Sequence, residues 1–127
     1  GRILRPFIFM WGKIMYEIKL KKGGLEKEFS KEYINVQDNL LALEHNARQI
    51  AFIDDKKASS DPNKVRKLNE SYLRMFVEMY GKQFTLEELK LADVKTMKTL
   101  HQLFGESLNG GKTDEEAEDG DGSKKEE

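Results

Sequence analysis

Residues 14–29 read Ile14-Met15-Tyr16-Glu17-Ile18-Lys19-Leu20-Lys21-Lys22-Gly23-Gly24-Leu25-Glu26-Lys27-Glu28-Phe29. Ile14, Tyr16, Ile18 and Leu20 alternate with Met15, Glu17, Lys19 and Lys21, the period of two of a half-buried strand. Gly23-Gly24 supplies the positive φ of a tight hairpin turn. Leu25, Phe29 and Tyr33 carry the apolar face of a second strand, interrupted by Lys27 and Lys31. A β-hairpin over residues 14–34 follows, and it needs a helix or a partner over its apolar face.

Downstream the period becomes helical. Asn35 is placed to cap a helix in which Val36, Leu40, Leu43, Ala47 and Ile50 recur at spacings of four and three, with Leu41 and Ala51 widening the stripe. Residues 54–60, Asp54-Asp55-Lys56-Lys57-Ala58-Ser59-Ser60, read as a polar connection. Asp61-Pro62 restarts a helix, Asp as cap and Pro at the first helical position. Its expected buried face is Val65, Leu68, Tyr72, Phe76 and Met79, with Met75 at the edge, and Gly81 ends it in a left-handed conformation. Thr85-Leu86-Glu87-Glu88 spells a capping box and starts a short helical turn to about residue 90. Asp93 is expected to cap a last helix carrying Val94, Met97, Leu100, Phe104 and Leu108. The fold class is therefore α+β: an N-terminal β-hairpin followed by three to four α-helices, mostly helical, with a disordered acidic C-terminal tail.

The chain has 127 residues, 22 Lys+Arg, 23 Asp+Glu, two His and no Cys. Its length suits one domain, expected over 15–108. The absence of cysteine removes disulfides, thiolate metal ligands and a Cys nucleophile. No apolar run approaches the roughly 18–20 residues of a membrane span. Charge is uneven: residues 109–127 carry a net −5 and residues 1–108 a net +4. A +4 body is too weakly basic to argue for nucleic acid, and residues 109–127, rich in Gly, Asp, Glu and Lys, have nothing to bury. Residues 1–14 hold three bases, no acid and the apolar run Phe7-Ile8-Phe9-Met10-Trp11. That run is too short for a signal peptide and lacks a cleavage site. It reads as a cloning or processing remnant, with Met15 the favoured natural start and Met10 a second. The other reading is a hydrophobic arm that docks on a partner.

Motifs that carry chemistry do not assemble. Gly111-Lys112-Thr113 resembles the end of a phosphate-binding loop, but position 106 is Glu where the motif needs Gly, and the segment follows a helix. Asp119, Asp121 and Ser123 imitate the start of a calcium loop, but Lys124 stands where Gly is required. His45 and His101 lie on different helices and read as partly exposed, without the converging ligands a metal needs. No serine has the setting of a nucleophile. Tyr72, Phe76 and Tyr80 with Met75 and Met79 read first as core and second as an adaptable partner face. Lys56, Lys57, Lys64, Arg66 and Lys67 form a basic cluster whose simplest reading is a solvated face. An enzyme is not expected, nor a cofactor.

The order of elements and one word in the sequence carry a resemblance. The hairpin from Met15 to Phe29 and the amphipathic helix are followed by Phe76-Val77-Glu78-Met79-Tyr80-Gly81-Lys82-Gln83-Phe84-Thr85-Leu86-Glu87-Glu88-Leu89. This resembles the tail assembly chaperones of long, non-contractile-tailed bacteriophages, especially those of Gram-positive hosts. In them a helix ending in V-x-x-x-(aromatic)-G-x-Q-F-T leads into an acidic short turn. Tyr80, Gly81, Gln83, Phe84 and Thr85 match in register, with Val77 one position nearer the aromatic than in that pattern, and the resemblance covers about residues 15–108. It implies a nonenzymatic protein of the host cytoplasm, absent from the mature virion, that binds the tape measure protein and helps recruit tail tube subunits. It also implies short and long forms made by a programmed ribosomal frameshift. Gly111-Lys112 or Lys124-Lys125 would mark the junction.

Independently of the resemblance, a hairpin covering one side of a small helical layer leaves apolar helix surface for another amphipathic helix. The candidate partner-binding residues are Val36, Leu40, Leu43, Ala47, Ile50, Leu100, Phe104 and Leu108. Self-association is a further use of such surface. The competing class is a small cytoplasmic adaptor or regulatory domain with weak nucleic-acid binding through the basic cluster. A third is a structural subunit retained in the phage tail.

Overall fold

The computed structural model describes residues 16–110. Along the chain come β1 (Ile18–Lys22), β2 (Leu25–Phe29), α1 (Val36–Asp54), α2 (Lys56–Ser59), α3 (Pro62–Met79), α4 (Leu86–Lys90) and α5 (Thr96–Leu108). This is the expected α+β order of hairpin then helices. The helix beyond the expected four is the single turn α2, nucleated where Asp55 accepts hydrogen bonds from the amides of Lys57 and Ala58. The expected N-terminal extension and nearly all of the expected acidic tail lie outside the described residues.

The hairpin is antiparallel, with Ile18 opposite Phe29 and Lys22 opposite Leu25. Gly23 and Gly24 both have positive φ, 62° and 83°, as a two-residue turn of the primed type requires. Tyr16, Ile18 and Leu20 turn inward and are buried, while Lys19 and Lys21 face water. The second strand departs from expectation: of its anticipated apolar face only Phe29 is buried, while Leu25 and Tyr33 are exposed. The reason is placement. β1 makes the sheet's main contacts with α4 and α5, leaving β2 outside it. Strand pairing also stops at Phe29, before Tyr33.

Asn35 caps α1 through a complete capping box: its side chain accepts from the Asp38 amide (2.8 Å), and Asp38 accepts from the Asn35 amide (2.9 Å). Asp61 caps α3 with Pro62 behind it. On α3, Phe76 and Met79 are buried and Val65, Leu68 and Tyr72 half-buried; Met75, expected at the edge, is buried as well. On α5 the sequence misplaces the start. Asp93 caps a turn ahead of the helix, its carboxylate accepting from the Lys95 amide, so Val94 lies outside α5 and is exposed. Leu100 and Leu103 have no accessible surface; Leu103 is a core residue that the stripe Met97-Leu100-Phe104-Leu108 passes over.

The segment Gly81–Thr85 stops one helix and starts the next. The Lys82 amide donates to the Val77 carbonyl (2.8 Å) and the Gly81 amide to Glu78 (3.0 Å), the paired bonds of a Schellman ending. Gln83 turns its side-chain amide back onto the Tyr80 carbonyl (2.8 Å). Phe84 inserts into the core, edge-on to Phe29 at 5.1 Å. Thr85 then closes a capping box with Glu88. Each letter of the Gly-x-Gln-Phe-Thr word thus has a backbone or packing task.

Gly81 has φ 73° and Lys82 φ 58°, and a Cβ on Gly81 would meet nothing within 4 Å. Gly81→Ala should therefore lose about 1–2 kcal/mol from backbone conformation alone. Lys82→Gly should gain up to about 1 kcal/mol. Urea unfolding of the two variants should show these opposite signs.

Candidate partner-binding surface

The first long helix carries its apolar stripe on the outside. At about 100° per residue, Val36, Leu40, Leu43, Ala47 and Ile50 fall within about 80° of arc. All five are exposed, Val36 at 74%, Leu40 at 49%, Leu43 at 48% and Ile50 at 53%. Ile53, at 63%, extends the surface toward the C-terminal end. The opposite side of α1, which meets the body, buries Asp38, Ala42 and His45.

That inversion has a local cause in polar bonds. Asp38 forms an ion pair with Lys31 at 2.7 Å, both side chains largely buried. Asn39 donates to the Ser107 carbonyl at 2.7 Å, tying α1 to the end of α5. Ala42 has no accessible surface and lets the helix approach closely. Turning the apolar stripe inward would bury Glu44 near its margin and strand Lys31, a cost of several kcal/mol for a buried unpaired charge.

The α5 candidates divide differently. Leu100 is fully buried and has no surface to offer a partner, because it lies on the side of α5 that packs in the core. Phe104 and Leu108 are half-buried against the core cluster. The structure therefore brings together the five α1 candidates as one exposed face, while the α5 candidates are buried or half-buried against the core cluster.

A second concavity, about 490 Å³, lies between α1, α3 and α5, lined by His45, Leu68, Tyr72, Met97, His101 and Phe104 among others. His45 is buried, not partly exposed as its spacing suggests. Its ring centroid lies 4.8 Å from Tyr72 and 5.7 Å from Phe104. The Tyr72 hydroxyl and His101 Nδ1 share a hydrogen bond at 2.7 Å. Burial pushes the Tyr72 phenol up to about 12. Burial, then the Arg48 charge, lowers the His45 imidazole below its ordinary value, and its Nδ1 has no partner. The sequence signal for this cluster was a matching of spacings, Tyr72/Phe76 on one helix and His101/Phe104 on another. Among the described residues no group of His, Asp and Glu is arranged to hold a metal ion.

The basic cluster is split by α3. Lys64 and Lys67 border a groove with Arg48. Arg66 borders another, where Lys90 is already paired with Glu70 at 2.6 Å. Met75, Met79, Phe76 and Tyr80 are buried, so the methionine–aromatic face of α3 is core. No described helix is long and apolar enough to cross a membrane.

A family model described as phage tail chaperone protein matches residues 13–125. The chain belongs to that family. The match contains the whole described body, including the Gly81–Thr85 word, and runs on through most of the acidic tail. Neither the curated proteins nor the solved structures compared yield a match. In this tail chaperone the α1 stripe is an apolar row with no covering element among the described residues.

His45 gives the surface's supporting junction a pH dependence. Its folded-state pKa lies below 6.5, the ordinary value expected of the unfolded chain. Stability is therefore full above pH 6.5 and falls as pH drops through it, because the unfolded chain takes up a proton that the buried ring does not. His45→Leu should flatten this segment of the urea midpoint–pH curve, separately from carboxylate effects at lower pH.

Proposed function

We propose that this tail chaperone binds the tape measure protein through the α1 stripe, keeps its long apolar helices in solution and helps recruit tail tube subunits. It acts without catalysis, in the host cytoplasm, and is absent from the mature virion. The observation that carries this reading is the solvent-facing row Val36, Leu40, Leu43, Ala47 and Ile50. Its spacing of four and three is that of a seam between two helices. The positions beside the seam are mostly uncharged, Gln37, Asn39 and Asn46, with Glu44 the one charge among them. Such flanks select an apolar pattern and not a charge pattern, which suits a client with many similar helical stretches.

The energetics favour reversibility. Each exposed Leu, Ile or Val contributes roughly 1–2 kcal/mol on burial, since only part of its surface remains to be covered. Ordering and association costs consume much of that sum. A single seam is therefore weak, and tight holding comes from several chaperones on one long client.

Leu40→Glu with Leu43→Glu should leave the circular dichroism spectrum intact, because both positions are exposed, and should abolish recovery of soluble tape measure protein on co-expression. Full client recovery by the folded double variant would eliminate α1 as the surface.

The polar segment after residue 108 suits a connector between a short and a frameshifted long form. The native gene with its downstream DNA, tagged at the N-terminus, should yield a minor longer product joined at Gly111-Lys112 or Lys124-Lys125 by mass spectrometry. A single product would remove this part of the proposal.

A further inference from the structure

We infer that the α1 seam is self-complementary and that, without client, a second copy of this chain covers it in an antiparallel helix pair. The inference rests on the reading of α1 as the helix-binding surface and names what occupies it first. Val36, Leu40, Leu43, Ala47 and Ile50 make an uninterrupted 4-3-4-3 row, all exposed, so the matching surface is another helix with the same period.

Side-chain volumes select the orientation. A parallel pair would stack Ala47 on Ala47 and leave a gap between larger layers. An antiparallel pair centred between Leu40 and Leu43 sets Leu40 against Leu43 of the second copy and Ala47 against its Val36. Small then meets β-branched, and the two leucines close the middle. In that register Ile50 reaches the level of Tyr33 of the second copy, a side chain 69% exposed ahead of α1. It also brings the single flanking charge, Glu44, beside Gln37 and not beside its own copy, so no like charges oppose pairing. Antiparallel helix dipoles add a small attraction. Each α1 buries Asp38, Ala42 and His45 against its own body, away from the seam, while Asn39 at the seam's edge is tied to the Ser107 carbonyl.

The contact is modest. Covering these side chains on both copies removes on the order of 1,000 Å² from water, the lower bound for a specific interface. Such a dimer exchanges readily and keeps the apolar stripe out of water until a tape-measure helix takes one copy's place.

The chain has no cysteine, so single-cysteine variants give a direct test on the full chain. Val36→Cys and Ala47→Cys, mixed and mildly oxidised, should cross-link to each other, while either alone should not, since like positions lie on the order of 16 Å apart along the helix axis. Sedimentation equilibrium should show a monomer–dimer equilibrium, and Leu40→Glu should raise its dissociation constant by about 30-fold or more. A chain that stays monomeric into the hundreds of micromolar overturns the inference. So does a dimer indifferent to Leu40→Glu, or cross-linking of Val36→Cys alone. Dimerisation that emerges only after removal of residues 1–14 assigns the seam to that segment and overturns it as well. Client recovery measured beside these tests separates the two readings. A monomeric chain that still loses client on Leu40→Glu with Leu43→Glu overturns the dimer alone, whereas a seam-linked dimer that recovers no client supports the dimer and overturns the tape measure as partner.

Discussion

Everything else in the fold depends on how Tyr16 anchors the hairpin. A two-stranded sheet does not hold its shape in water, and this one is kept by bonds at the start of its first strand. The Tyr80 hydroxyl donates to the Tyr16 carbonyl at 2.7 Å, and the Tyr16 amide donates to the Lys31 carbonyl at 3.1 Å. The Tyr16 hydroxyl donates to Glu106, whose other oxygen accepts from Gln102. One residue thus joins the end of α3, the exit of the hairpin and the last turns of α5. Lys31 passes the connection to α1 through Asp38. The buried Tyr80 phenol is held well above its ordinary pKa by burial, then by the Asp38 charge.

This polar chain explains why the domain presents an apolar helix face to solvent. α1 gives the apolar core Ala42 and part of Leu41, while its fully buried apolar bulk comes from Leu20, Phe76, Leu100 and Leu103. What the body needs from α1 is an acid for Lys31, a donor for the Ser107 carbonyl and a small residue at Ala42. Asp38 and Ala42 lie on the side away from Val36–Ile50, and Asn39 sits at the margin of that row. A helix recruited for its polar side must turn its apolar side outward, where its burial becomes available to a partner. On the proposed reading, folding and client capture use different faces of one helix.

The separation also frees each face to change. The five seam side chains lie outside the buried core cluster, while His45, Tyr72 and Phe104 carry packing and pH sensitivity on the body side of α1. The helix stop and restart at Gly81–Thr85 serves the body alone: Gly81 sets the backbone, Gln83 satisfies Tyr80, Phe84 fills the space under Phe29 and Thr85 opens α4. A family word made of such tasks speaks for the fold, and the proposed partner surface lies elsewhere, on α1.

Local chemistry was legible in the one-dimensional chain. Gly23-Gly24, the Asn35, Asp61 and Thr85 caps, Gly81 and the switch from period two to period 3.6 all act within a few residues, so hairpin, helix order and family word could be read directly. Three things were not legible, for one shared reason. Which face of α1 is buried, why β2 exposes Leu25, and why His45 is enclosed all depend on residues far away in sequence. Periodicity tells that a helix has an apolar side. Only the competition among Asp38, Lys31, Tyr16 and Glu106 for buried polar partners decided which way that side points, because an unpaired buried charge costs more than an exposed leucine.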